Sequence, residues 1–446
     1  MSTIIRNVRL VNEGQITETD VLIRNGRFEK IAPDISVPER AEEVDASGLH
    51  MMPGIIDDQV HFREPGLTWK EDIAHGAKAA VAGGVTSFME MPNVVPPSFT
   101  HELLEEKYAI AARNSVANYS FYLGTSHDNL EEIKRIDATS ICGLKIFMGS
   151  STGNLLVDDP KILEEVFRNS PTLIATHCEH EPTVRANTEK YKAIYGDHIP
   201  VALHPVIRDE QACYLSSSFA VDLAKKTGAR LHILHISTAE ELDLFDNNIP
   251  LEQKRITAEA CVHHLYFDAG DYEELGSRIK WNPAVKDARH KPQILQAVLD
   301  DRIDVIATDH APHTLEEKSN PYTSCPSGAP MVQHSINVML SFYHQGRISL
   351  EQIAAKMSHD VARCFRMEDR GYIREGYHAD FFLLDPDAPF TVTKESLLYK
   401  CGWSPLEGFQ MQGKVHQTYV NGQLVWNGIH VIESANGERL RFRRLA

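Results

Sequence analysis

Histidine, lysine and aspartate recur in this sequence at the ends of short apolar runs. Gln59, His61 and Arg63 stand two apart in Gln59-Val60-His61-Phe62-Arg63-Glu64-Pro65-Gly66, and residues two apart on a strand project to the same side. Lys145 interrupts the apolar Gly143-Leu144-Lys145-Ile146-Phe147-Met148, where an amine is costly to bury unless it is paired or chemically modified. His177-Cys178-Glu179, His235-Ile236-Ser237 and Asp309-His310-Ala311-Pro312-His313 end three further runs. One histidine on an apolar run is usually a packed core residue. His61, His177, His235 and Asp309 on four separate runs are instead imidazole and carboxylate ligands suited to zinc or a similar divalent ion. A catalytic site of that kind leaves a position open for water. Cys178 alternates away from His177 and reads as a small buried apolar residue.

Such residues need a scaffold that makes strand ends converge. Eight apolar runs, each followed by a helical stretch, lie between about residues 54 and 310: GIIDDQVHF, VTSFMEMPN, NYSFYLGT, CGLKIFMGS, TLIATHCE, RLHILHIS, RITAEACVHH and IDVIATDHAP. Intervening pieces such as EDIAHGAKAAVAGG and SSFAVDLAKKTG have helical apolar spacing and end in glycine. Eight β-then-α units predict a (β/α)8 barrel, an α/β fold whose strand C-termini form one pocket. Both chain ends alternate in the strand manner, with Asn25-Gly26 and Asn421-Gly422 as tight hairpin turns. The expectation is a small β-sandwich from residues 1–53 plus 371–446, with the barrel over 54–370 inserted between its halves.

The 446 residues carry 45 Lys+Arg against 62 Asp+Glu, a formal net charge of −17. That balance excludes a nucleic-acid binder, which needs a basic face, but leaves room for an anionic small molecule in a locally positive pocket. No apolar stretch is long enough to predict a transmembrane helix, and Arg, Asn and Glu interrupt the N-terminus too early for a signal peptide. Seven cysteines without a C-x-x-C pair fit reduced thiols. A cytoplasmic protein is expected.

The motifs together resemble the amidohydrolase superfamily, and within it the dihydroorotase family in its longer bacterial form, with hydantoinases and allantoinases as relatives. His61-Phe62-Arg63-Glu64-Pro65-Gly66, Met91-Pro92-Asn93 and Thr308-Asp309-His310-Ala311-Pro312-His313 carry the likeness most specifically. Gly143 to Met148 resembles the carbamylated-lysine strand of those enzymes, with Ala175–Glu179 and Leu234–Ser237 in support. The resemblance implies one or two zinc ions held by His61, Lys145 carbamylated by CO2, His177, His235 and Asp309. It implies metal-bound hydroxide as nucleophile, with Asp309 as general acid/base carrying its proton to the leaving amide nitrogen. Arg63 would hold the substrate carboxylate, Asn93 and His313 would assist it, and Asn282 would contact the pyrimidine ring. The Ser324–Met331 loop falls where relatives supply backbone contacts. The implied reaction is reversible cyclisation of N-carbamoyl-L-aspartate to L-dihydroorotate in pyrimidine biosynthesis, by a homodimer or homotetramer.

Two departures qualify that expectation. The family usually has His-x-His where this chain has Gln59-Val60-His61, and an amide oxygen is a weaker zinc ligand than imidazole. One metal position would then be weak or empty. Lys286 replaces an arginine common in relatives. The alternatives are a catalytically silent scaffold for aspartate transcarbamoylase and a related cyclic amidase of the allantoinase or hydantoinase kind.

Overall fold

All eight expected runs form strands in the computed structural model, which describes residues 2–36, 41–151, 153–433 and 437–444. They are β6 (Ile55–Val60), β7 (Val85–Glu90), β8 (Asn118–Gly124), β9 (Gly143–Phe147), β10 (Ile174–His177), β11 (Leu231–Ile233), β12 (Ile256–Cys261) and β13 (Val305–Ala307). Outside these, β1 (Ser2–Asn12), β2 (Gln15–Arg24), β3 (Arg27–Ala32), β4 (Ala41–Asp45) and β5 (His50–Pro53) precede the barrel, and β14 (Phe381–Thr391), β15 (Gln410–Val420) and β16 (Gln423–Trp426) follow it.

The barrel strands pair in parallel, in sequence order from β6 to β13. Closure comes just past β13, where the His61 amide donates to the His310 carbonyl at 2.7 Å and Val60 bridges His310. A barrel rather than an open sheet follows, with the residues after each strand gathered at one end. Residues of β6 to β10 are buried along their length because helices cover the outside. The two quoted helical pieces form Ile73–Ala82, capped by Asp72 accepting from the His75 amide, and part of Glu210–Thr227, which ends at Gly228 with φ +74°.

The β domain built from both chain ends is one connected mixed sheet of eight strands. Its joint is β5, which pairs in parallel with β1 and antiparallel with β14. β1 also pairs in parallel with β4 through its first half, Ser2 to Arg6. Both Asn-Gly hairpins are present, with φ of 52° and 77° at Asn25-Gly26 and 51° and 71° at Asn421-Gly422, the left-handed pair a two-residue turn requires. They touch: a Cβ on Gly26 would stand 2.9 Å from the Asn421 carbonyl. Ile5, Val8, Val21, Ile23, Phe28, Phe381 and Tyr419 form the core of this domain, with the Phe381 and Tyr419 rings stacked at 4.5 Å. No helix among the described residues is long and apolar enough to cross a membrane.

Candidate active site

A cavity of about 220 Å³ opens where the barrel strands end. Its lining includes every residue nominated from the sequence: Gln59, His61, Arg63, Asn93, Lys145, His177, His235, Asn282, Asp309 and His313. Ser327 and Gly328, from the Pro/Gly loop, also reach it. Arg63, His235 and Asp309 hold φ of +65°, +42° and +45°, a conformation that costs a side-chain-bearing residue of order 1 kcal/mol or more. Each follows a strand closely, so the strain accompanies the turn that aims its side chain inward. Gly66 permits the neighbouring loop contact: a Cβ there would lie 2.0 Å from the Val95 carbonyl. That close approach seats the segment after β7 against the one after β6 and brings Asn93 to His61.

The nominated metal ligands gather in two close pairs. His61 donates from Nδ1 to Asn93 Oδ1 at 2.8 Å, which leaves a lone pair on Nε2, 3.2 Å from the Asp309 carboxylate. His177 donates from Nε2 to Glu179 Oε2 at 2.8 Å, which leaves Nδ1 facing His235 Nε2 at 2.9 Å. His235 Nδ1 is buried with no hydrogen-bond partner among the described residues. The His61 lone pair facing the Asp309 carboxylate in a buried site calls for a cation or a proton between them. Burial, opposed by Lys145, His177 and Arg63, raises the Asp309 carboxyl to about 7. Burial, opposed by Asp309 and Glu259, lowers the Lys145 amine to about 8. Lys145 Nζ rests 4.6 Å from the Phe147 ring centroid.

Gln59 turns its amide nitrogen toward Asp309 Oδ1, 3.2 Å away, and its oxygen toward Cys261 Sγ at 3.7 Å. In this orientation it orients Asp309 by donating to it. Asn93 holds the His61 tautomer, where an aid to Arg63 was expected. Asn282 donates to Ser150 Oγ at 2.6 Å and leaves its buried oxygen unpartnered. Lys286 donates to Ser237 Oγ at 2.9 Å.

Arg63 is 6% exposed and no carboxylate pairs with it among the described residues. Its Nε donates to the Pro312 carbonyl at 3.1 Å, and Nη2 lies 3.1 Å from His313 Nε2. The adjacent Glu64 instead accepts from the Ile73 amide at 3.0 Å, at a helix start. A buried guanidinium without a counterion is costly unless an anion arrives.

Sequence reasoning missed a layer beneath. Asp58 on β6, His232 on β11 and Glu259 on β12 are fully buried, with ligand atoms all within 4.8 Å of one another. His232 Nε2 lies 3.2 Å from Asp58 and 3.9 Å from Glu259. This Asp/His/Glu group is arranged to hold a divalent cation. It is tied to the cavity, because Glu259 Oε1 accepts from the His235 backbone amide at 2.9 Å. His232 was visible in the RLHILHIS run, but strand alternation alone gives no reason to pair it with residues 58 and 259. Glu179 was also passed over; its position two after His177 was the available signal. Arg208, which pairs with it, is remote in sequence. Burial would raise the Glu179 carboxyl, but Arg208 and the His177 hydrogen bond bring it down to about 2.

Comparison with known proteins agrees with this architecture. The model of the amidohydrolase family matches residues 50–425. A dihydroorotase of Methanothermobacter thermautotrophicus is 31% identical over 89% of this chain and 88% of its own. An allantoinase of Deinococcus radiodurans is 31% identical with both chains fully covered. Among solved structures, the L-hydantoinase (dihydropyrimidinase) of Arthrobacter aurescens superimposes with a TM-score of 0.93 at 26% identity, covering 99% of each chain. The chain belongs to the amidohydrolase family, among its cyclic amidohydrolases.

Proposed function

We propose that this protein is a divalent-metal-dependent cyclic amide hydrolase whose substrate ring carries a carboxylate, interconverting N-carbamoyl-L-aspartate and L-dihydroorotate. The observation that carries this reading is Arg63: a buried guanidinium in the cavity wall with which no carboxylate pairs among the described residues. A planar guanidinium binds a carboxylate through parallel hydrogen bonds, which a neutral ureide ring does not use.

The donor set fits zinc or a similar ion, since His61 Nε2 and His177 Nδ1 present lone pairs into the cavity beside His235 and Asp309. Lys145, buried in β9 with no carboxylate paired to it among the described residues, would join them as a carbamate, an anionic oxygen ligand that also removes a buried ammonium. A bound divalent ion supplies Lewis acidity toward the amide carbonyl and acidifies water. Arg63 binds the substrate carboxylate and fixes the ring's orientation. Asp309, steadied by the Gln59 amide, receives a proton at its carboxylate and returns it to the leaving ring nitrogen. Glu179 and Asn93 hold the tautomers of His177 and His61.

The test is turnover of L-dihydroorotate by zinc-loaded protein, followed at the ring's ultraviolet absorbance. No turnover with metal confirmed overturns the reading. The second reading, a cyclic amidase for a neutral ring, is favoured by the likeness to an allantoinase and an L-hydantoinase. Preferential turnover of allantoin or hydantoin by the same sample would establish it.

A further inference from the structure

Two hydrogen-bond donors face each other at the edge of the cavity, and a lysine outside its lining is responsible. His313 lies between two cations: Arg63 Nη2 stands 3.1 Å from its Nε2, and Lys70 Nζ stands 3.0 Å from its Nδ1. Burial beside Arg63 and Lys70 pushes the imidazole well below its usual range, so it stays neutral and carries a single ring hydrogen.

The neighbours decide which nitrogen bears that hydrogen. An ammonium only donates, so Nδ1 must offer Lys70 its lone pair. The Ser327 carbonyl, 3.0 Å from Nε2, only accepts, so Nε2 must bear the hydrogen. Both contacts select the same tautomer. Arg63 Nη2 then faces an N–H, not a lone pair, and its hydrogen on that side has no acceptor among the described residues. Lys70 is itself anchored by Glu317 Oε1 at 2.9 Å, and the other oxygen of Glu317 accepts from the Thr314 amide at 3.0 Å.

We propose that Lys70 is a positioning residue that holds His313 in its Nε2–H tautomer, with that hydrogen on the Ser327 carbonyl, so that Nε2 cannot accept from Arg63 and the Arg63 Nη2–H is left for an oxygen of an incoming carboxylate. This rests on the reading above that the cavity takes a carboxylate-bearing ring. Without Lys70 only the Ser327 carbonyl still favours Nε2–H, against the Arg63 guanidinium at the same nitrogen and a Glu317 carboxylate released from Lys70, whose Oε2 stands 3.8 Å from Nδ1, so the imidazole hydrogen shifts to Nδ1. Nε2 then accepts from Arg63, and the guanidinium closes on the protein instead of on substrate.

The experiment compares metal-loaded wild type, Lys70→Met, Lys70→Arg and Glu317→Gln in dihydroorotate kinetics and in inhibition by orotate, a ring carboxylate. For Lys70→Met, KM and the orotate inhibition constant should rise roughly tenfold or more, the loss of one charge-assisted hydrogen bond. Its kcat should stay within about threefold of wild type, as for a binding contact shared by ground and transition states. Lys70→Arg, which also only donates, should restore both constants. Glu317→Gln, which loosens Lys70, should shift them in the same direction by a smaller factor and covers the case of a Lys70→Met protein that does not fold. Wild-type turnover with unmoved constants in folded Lys70→Met overturns the inference alone. So does a Lys70→Arg protein as impaired as Lys70→Met, or, if Lys70→Met does not fold, unmoved constants in Glu317→Gln. A wild type that neither turns over dihydroorotate nor binds orotate overturns the carboxylate reading with it.

Discussion

Two groups of residues line the same cavity and are incomplete in opposite senses. In the group of His61, His177, His235 and Asp309, an imidazole lone pair lies 3.2 Å from a carboxylate, and the His177 and His235 rings meet through nitrogens 2.9 Å apart. In the group of Arg63 and His313, donor faces donor at 3.1 Å. The first arrangement is satisfied by a cation and the second by an anion. A metal and the proposed carboxylate-bearing substrate would supply both, and the anion would then be received locally by a chain of net charge −17.

Breaking the cation-seeking group should have the largest effect. Asp309→Asn keeps the shape but removes the proton carrier, so kcat should fall by roughly 10²- to 10⁴-fold, measured with metal content determined on the same sample. Retained turnover would show that the proton travels elsewhere. On the anion-seeking side, Arg63→Met should raise KM for dihydroorotate by roughly 10- to 100-fold while leaving folding intact. Unchanged KM would remove the carboxylate argument and leave only the cation half of the contrast. Glu179→Gln sharpens the first group: a neutral amide holds the His177 tautomer less firmly, and metal affinity in chelator competition should weaken by about 10- to 100-fold.

The smallest effect is expected at a buried carboxyl outside both groups. Burial raises Glu71 from 4.5 to about 8, opposed by hydrogen bonds from the Asp72 and Lys400 amides. The folded state therefore binds more protons than the unfolded chain between those values, so this group's contribution to stability declines as pH rises from 4.5 to 8. Glu71→Gln should lack that decline, with a melting temperature a few degrees above wild type near pH 8 and no gain near pH 4. A gain independent of pH would mean that packing, not charge, is responsible.

Most of the cavity was legible because strand alternation and barrel convergence are local rules with a global consequence. Once eight strands are parallel and closed, residues in or just past their C-terminal ends must meet, and His61, Lys145, His177, His235 and Asp309 do. The hairpins at Asn25-Gly26 and Asn421-Gly422 were equally readable, since the residue pair itself dictates the backbone. What escaped were partners chosen across the fold: Glu179 with Arg208, Asp58 with His232 and Glu259, and Lys70 with His313. In each case, strand spacing places one residue and leaves its neighbour undetermined.

The sequence by itself determined that a barrel would form, that both chain ends would be β-structured, and which polar residues would stand at the strand ends. These follow from periodicity, turn chemistry and the cost of burying unpaired polar groups. Tertiary structure alone decided what each of those residues touches. In it the Gln59 amide donates to Asp309, Asn93 meets His61, and no carboxylate among the described residues pairs with Arg63 although Glu64 follows it directly. The physical reason is that hydrogen-bond direction depends on angles and distances of tenths of an ångström between residues up to 250 positions apart, and those are set only when the whole core is packed.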